Sequence, residues 1–159
     1  MVNLPAFMNN LLLRKENKGF TLIEILVVIG VLAVLFSIIL IAINPEKQFS
    51  RANNAKRRSD IVAILNAIGA YSADNKGVLP TGISIASATI TDEVNGADIC
   101  LLLVPKYISA LPTDPSLETN DITACTSYNT GYTVVKDANN RVTVAAPYQE
   151  GDEVISITR

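Results

Sequence analysis

The sequence predicts an α+β fold in which a long N-terminal helix carries a small antiparallel sheet. Three observations lead there. Ile25 to Ile43 is a run of nineteen residues without a charge. The next thirty residues place apolar side chains at helical spacing, with Ile61, Val62, Leu65 and Ile68 following the i, i+3, i+4 pattern. The last third of the chain is divided into short β-branched runs separated by turn residues.

The apolar run is interrupted only by Gly30 and Ser37. With Phe20 to Ile23 added it is long enough to cross a bilayer as a helix, which takes about 20 apolar residues. Glu24 is the exception. A carboxylate in hydrocarbon costs about 2.5–3.5 kcal/mol on insertion scales, so an acid there is either at the membrane edge or has a function.

The residues around that acid read K-G-F-T-L-I-E, Lys18 to Glu24, after a charged leader and before an apolar span. This combination resembles the processing signature of the type IV pilin and pseudopilin family. The resemblance implies a pilin-like fold and a leader, residues 1–19, removed on the cytoplasmic side by a prepilin peptidase that cuts between Gly19 and Phe20. It also implies N-methylation of the new N-terminal Phe20, and a role for Glu24 in assembly. Physical chemistry agrees with that last role: the ammonium of Phe20 in one subunit can pair with Glu24 of its neighbour, and buried charges are tolerated when paired.

The leader is unlike a secretory signal, whose apolar segment precedes the cleavage site. Charge gives no clear orientation. Three basic residues precede the span and five follow within fifteen residues, so the positive-inside rule slightly favours a cytoplasmic C-terminus. The resemblance implies the opposite, with the head outside.

Proline at position 45 removes a backbone donor and crowds the carbonyl of Ile41, or else opens a new helix capped by Asn44. A kink or short unwound segment is expected between Gly30 and Pro45, at least in the filament, with the isolated helix bent near Asn44. If the helix ran unbroken from Phe20 to Asp74 it would measure about 80 Å. Residues 20–44 form the expected membrane and assembly helix, residues 45–76 the amphipathic half ending at Asn75–Gly77, and residues 77–159 the head. Lys56-Arg57-Arg58 reads as a solvated basic face, with salt bridges to acidic heads of neighbouring subunits as the sharper alternative.

Within the head, Ile83 to Ile90 suggests a short strand, and Ala97 to Val104 either a short buried helix or a strand, ended by Pro105. Tyr107 to Pro115 is a loop stiffened by Pro112 and Pro115. Its Leu-Pro-x-Asp-Pro element resembles one found in pseudopilins and many pilins, where Trp-Gly typically follows; here Ser116-Leu117 does. Tyr132–Lys136 and Arg141–Ala145 read as a hairpin around Asp137–Asn140, and Val154–Thr158 as a third strand. Cys100 and Cys125 are the two cysteines. An even count in an extracytoplasmic domain favours a disulfide, the alternative being two buried thiols.

Composition excludes several functions. The chain has no His, so His-based acid/base catalysis and His metal ligation are absent. No G-x-S-x-G occurs, and Gly77, Gly82 and Gly96 are too scattered for a phosphate loop. No catalytic residue, metal or cofactor is expected. Asp137, Asn139 and Asn140 are of the type that ligates calcium, as the acidic C-terminal loop of major pseudopilins does, but turn chemistry accounts for them. Residues 75–159 carry five basic and ten acidic side chains, a net charge of −5, which argues against nucleic-acid binding. The resemblance thus implies a structural subunit of a type IV pilus, serving surface attachment or motility. Its partners would be other copies of itself, the prepilin peptidase, and an inner-membrane platform with its ATPase motor. The alternatives are a pseudopilin of a secretion or DNA-uptake system, and a single-span anchored binding domain that never polymerises.

Overall fold

A computed structural model describes residues 19–117 and 119–159. The expected leader lies outside them up to residue 18. The described residues fall into two units, divided between Ile43 and Asn44.

In the first unit, α1 spans Leu22–Ile43. Its 22 residues rise about 33 Å, close to the hydrocarbon thickness of a bilayer. It is one helix long and apolar enough to cross a membrane, and every one of its side chains is exposed. In the single subunit the helix runs through Gly30 without interruption and ends at Ile43, so the interruption falls at Asn44. A lone glycine costs a helix only about 1 kcal/mol, and regular hydrogen bonding on both sides outweighs that. Ser37 turns its hydroxyl back onto the carbonyl of Ala33 at 2.9 Å, so no polar group is left bare.

The second unit opens with α2, Pro45–Asp74. Asn44 stands between the helices in the left-handed region, φ 47°, and its side chain accepts from the Lys47 amide. Pro45 occupies the first helical position, where a missing N–H costs nothing. The buried positions of α2 include Asn54, Arg57, Ile61, Ile64, Leu65 and Ile68, a stripe at helical spacing. The helix stops at Asp74, and the Asn75 and Gly77 amides close onto Tyr71 and Ser72.

The sheet has four antiparallel strands in the order β1 (Ala88–Thr91), β2 (Asn129–Lys136), β3 (Val142–Ala145) and β4 (Ser156–Thr158). The expected hairpin is β2–β3, with Val134 opposite Val144 and Lys136 opposite Val142. Period-two alternation buries Val134, Val142 and Val144 with the α2 stripe, while Thr143 and Ala145 are only partly buried. The segment from Ala97 to Val104 resolves as a short helix, α3 (Cys100–Leu103). Leu103, Ile99 and Leu111 complete the core.

Candidate functional site

Two places in the molecule concentrate the residues the sequence singles out. The first is the start of α1. Thr21 is the N-cap and Glu24 the third helical residue. The Glu24 amide donates to Thr21 Oγ1 at 3.3 Å, and the Thr21 amide donates to Glu24 Oε2 at 3.4 Å. This is a reciprocal capping box, and it satisfies two of the amides that a helix start leaves without partners. Phe20 is 79% exposed beside it. Cleavage after Gly19 would leave the box whole, since both partners lie beyond the cut.

The second place is the buried face of α2. Of the Lys56-Arg57-Arg58 run, read from the sequence as a solvated basic face, Lys56 and Arg58 are exposed as expected and Arg57 is not. The Arg57 side chain is wholly buried and pairs with Asp114, also wholly buried, through Nε to Oδ2 at 2.8 Å and Nη2 to Oδ1 at 3.0 Å. Its Nη1 donates to Asn54 Oδ1 at 2.9 Å and Glu150 Oε1 at 3.1 Å. Lys56 bonds Asp60 and the carbonyl of Thr113, and Arg58 pairs with Glu153. All three cations are therefore engaged within the subunit, with Arg57 wholly enclosed and Lys56 and Arg58 at the surface. The expectation failed for Arg57 because its carboxylate partners Asp114 and Glu150 lie 57 and 93 residues away along the chain. The one local signal was the spacing: Arg57 falls on the same helical face as Ile61 and Ile64.

Asp114 is the acid of the Leu-Pro-x-Asp-Pro element. The Ser116 amide and hydroxyl also donate to its Oδ1, at 2.9 and 2.5 Å. Burial alone would raise its pKa, but the hydrogen bonds from Arg57 and Ser116 outweigh that and hold the carboxyl below its ordinary value. Hydrogen bonds from Ser50, Asn53 and Arg57 lower Glu150 in the same way. Bonding to Asp114 raises Arg57 against the opposing effect of burial. Beside this node the Tyr132 hydroxyl donates to Asp60 at 2.7 Å, and burial first, then that bond, pushes its ionisation far up.

Cys100 and Cys125 form a disulfide with their Cα atoms 5.5 Å apart, tying α3 to the segment before β2. In the β2–β3 turn the Asp137 carboxylate is engaged locally. Asp137 already accepts from the Asn139 amide, the Arg141 amide and Arg141 Nε, at 2.7 to 2.9 Å. Among the described residues no group of three or more Cys, Asp or Glu side chains is placed to hold a metal ion.

A family model described as the prokaryotic N-terminal methylation motif matches residues 14–40. The chain is 32% identical over 102 residues to the type II secretion system core protein G of Aeromonas hydrophila, covering 64% of this chain and 69% of that one. It is 34% identical over 102 residues to the protein of the same name from Klebsiella michiganensis, covering 64% and 70%. To the one from Vibrio cholerae it is 34% identical over 107 residues, covering 64% and 66%. No solved structure matches the chain.

Proposed function

The chain belongs to the pilin-like family of the type II secretion system core protein G, the pseudopilins, and from that premise we propose that it is a structural subunit of a secretion-type fibre. A prepilin peptidase cuts after Gly19, Phe20 is methylated, and α1 holds the subunit in the inner membrane until it is drawn into the fibre. Copies pack through their α1 helices, with Glu24 setting register. An inner-membrane platform and its ATPase motor drive assembly. The observation that carries this reading is the match to core protein G, which covers 102 residues and so extends well beyond the N-terminal motif at residues 14–40. The pilus of attachment and motility, expected first from the sequence, thereby becomes the second reading.

The Cys100–Cys125 bond supports a head outside the cytoplasm, because disulfides persist in oxidising compartments. One observation favours the pilus reading: Ser116-Leu117 stands where pseudopilins typically have Trp-Gly. Deleting the gene in its host separates the two. A pseudopilin gives loss of protein export with surface filaments unchanged, whereas a pilin gives loss of long surface filaments with export unchanged. Terminal sequencing of the assembled subunit tests both against a non-polymerising anchored domain, which would keep its leader.

A further inference from the structure

Three separated parts of the head bring hard oxygen donors to one point. Asp114 comes from the segment before the 3-10 turn Pro115–Leu117, Glu150 from the loop between β3 and β4, and Asn54 from α2. Oxygens of this kind are what a divalent cation collects. Here the group they surround is the guanidinium of Arg57, with both oxygens of Asp114, Oε1 of Glu150 and Oδ1 of Asn54 at 2.8 to 3.1 Å. The site is closed further by bonds among the donors. Glu150 donates its amide to Asn54 Oδ1 at 3.0 Å, Asn54 Nδ2 donates to the Glu150 carbonyl at 2.8 Å, and Asn53 Nδ2 donates to Glu150 Oε1 at 2.8 Å. Two further acids of the C-terminal loops are engaged as well, Glu153 by Arg58 and Asn54, and Asp137 by Arg141.

We propose that Arg57 is the built-in structural cation of this head, and that the fold is held without a divalent metal. A guanidinium suits the task. It keeps its charge at every accessible pH and offers five N–H donors in a rigid plane that matches a carboxylate in two-pronged fashion. It bonds Asp114 and Glu150 at once and so fastens two loops to α2. The proposal rests on the geometry of the head and is independent of whether the fibre serves secretion or attachment.

The test uses the full processed chain in detergent micelles, followed by the near-ultraviolet circular dichroism of its five tyrosines, all of which lie in residues 71–148. Thermal midpoints of the unaltered protein are compared in chelator and in millimolar calcium, and are expected to coincide. Arg57→Ala is expected to lower the midpoint by about 10 °C or more, as loss of one partner of a buried ion pair does. Methylguanidinium is expected to restore part of that loss, with methylammonium at the same concentration restoring none. Should Arg57→Ala fail to fold, Asp114→Asn is the graded variant, and its midpoint is expected below that of the unaltered protein. A midpoint that falls in chelator and recovers in calcium overturns the proposal. So does an unchanged midpoint in Arg57→Ala or Asp114→Asn.

Discussion

Arg57 and Asp114, 57 residues apart in the chain, face each other through two hydrogen bonds with neither side chain reaching solvent. Taking two charges out of water costs several kcal/mol for each ion, and only good geometry with further hydrogen bonds offsets it. Both conditions are met, by Asn54 and Glu150 on one side and by Ser116 on the other. The pair fixes where the Leu-Pro-x-Asp-Pro segment crosses α2, and the Asp114 amide then bonds the Thr130 carbonyl and aligns β2.

Acid should unfold the head through this pair. The folded pKa values of Asp114 and Glu150 are both depressed, so unfolding takes up protons as pH falls. The stability they contribute is complete above the unfolded carboxylate value of about 4 and is lost as pH drops through the folded values. Thermal midpoints are therefore expected to be flat from neutral pH down to about 5 and to decline below about 4. Asp114→Asn should start lower at neutral pH and show a shallower acid limb. An equally steep limb in that variant would assign the acid transition to other carboxylates.

The disulfide should contribute separately. By loop entropy a bond across a separation of 25 residues is worth about 3 kcal/mol. Thiol labelling of the folded, unreduced protein should find no free cysteine, and Cys100→Ser with Cys125→Ser should lower the denaturant midpoint at unchanged slope. Stoichiometric labelling of both positions before reduction would remove the bond from the account.

Gly131 is a third test of the head. Its φ is +75°, and a Cβ built there would lie 2.9 Å from Asp114 Cβ and 2.9 Å from Leu117 Cδ1. Gly131→Ala combines left-handed strain with a clash against the side chains of Asp114 and Leu117. It should destabilise the head by about 2–4 kcal/mol, read from urea unfolding. Leu117, in the position where relatives of this fold typically carry Trp-Gly, is thus part of the close packing. A Leu117→Ala partner mutation should recover some of the loss.

What the sequence revealed and what it hid follow from distance along the chain. The span, the hairpin around Asp137 and the stop at Asn75 are local patterns of period 3.6, period two and turn chemistry, and each could be read from neighbouring residues. The interruption at Asn44–Pro45 was equally local, whereas Gly30 carried a weaker signal that helix bonding overrides. Arg57 looked exposed like its neighbours Lys56 and Arg58, which are, because Asp114 and Glu150 are distant in sequence and a window along the chain cannot place them. Four residues at Cys100–Leu103 are too few for either period, so only packing against the core decides that they are helical.

The last prediction concerns Glu24, the only charge between Phe20 and Ile43. In the single subunit its carboxylate is already engaged by the Thr21 amide. That bond keeps the acid at the helix start, where the helix dipole favours it, and it moderates the few kcal/mol that an acid in hydrocarbon would otherwise cost. Assembly would then be an exchange: the Thr21 amide yields to the ammonium on Phe20 of an adjacent subunit, and a charge pair forms whose position depends on axial register. The apolar side chains from Ile25 to Ile43 supply packing that is strong but indifferent to register. Removing the carboxylate alone should therefore spare or improve membrane insertion, yet leave the partner ammonium unpaired. Glu24→Leu is expected to give processed monomer in the membrane fraction and at least a tenfold loss of sheared fibre, about what an uncompensated interaction of 1.4 kcal/mol per contact would produce. Thr21→Ala, which removes the side-chain half of the cap and keeps the acid, should retain most of the fibre. The measurement is the ratio of sheared fibre to membrane monomer for each variant. Normal fibre yield and dimensions from Glu24→Leu would mean that register is set by the apolar surfaces alone.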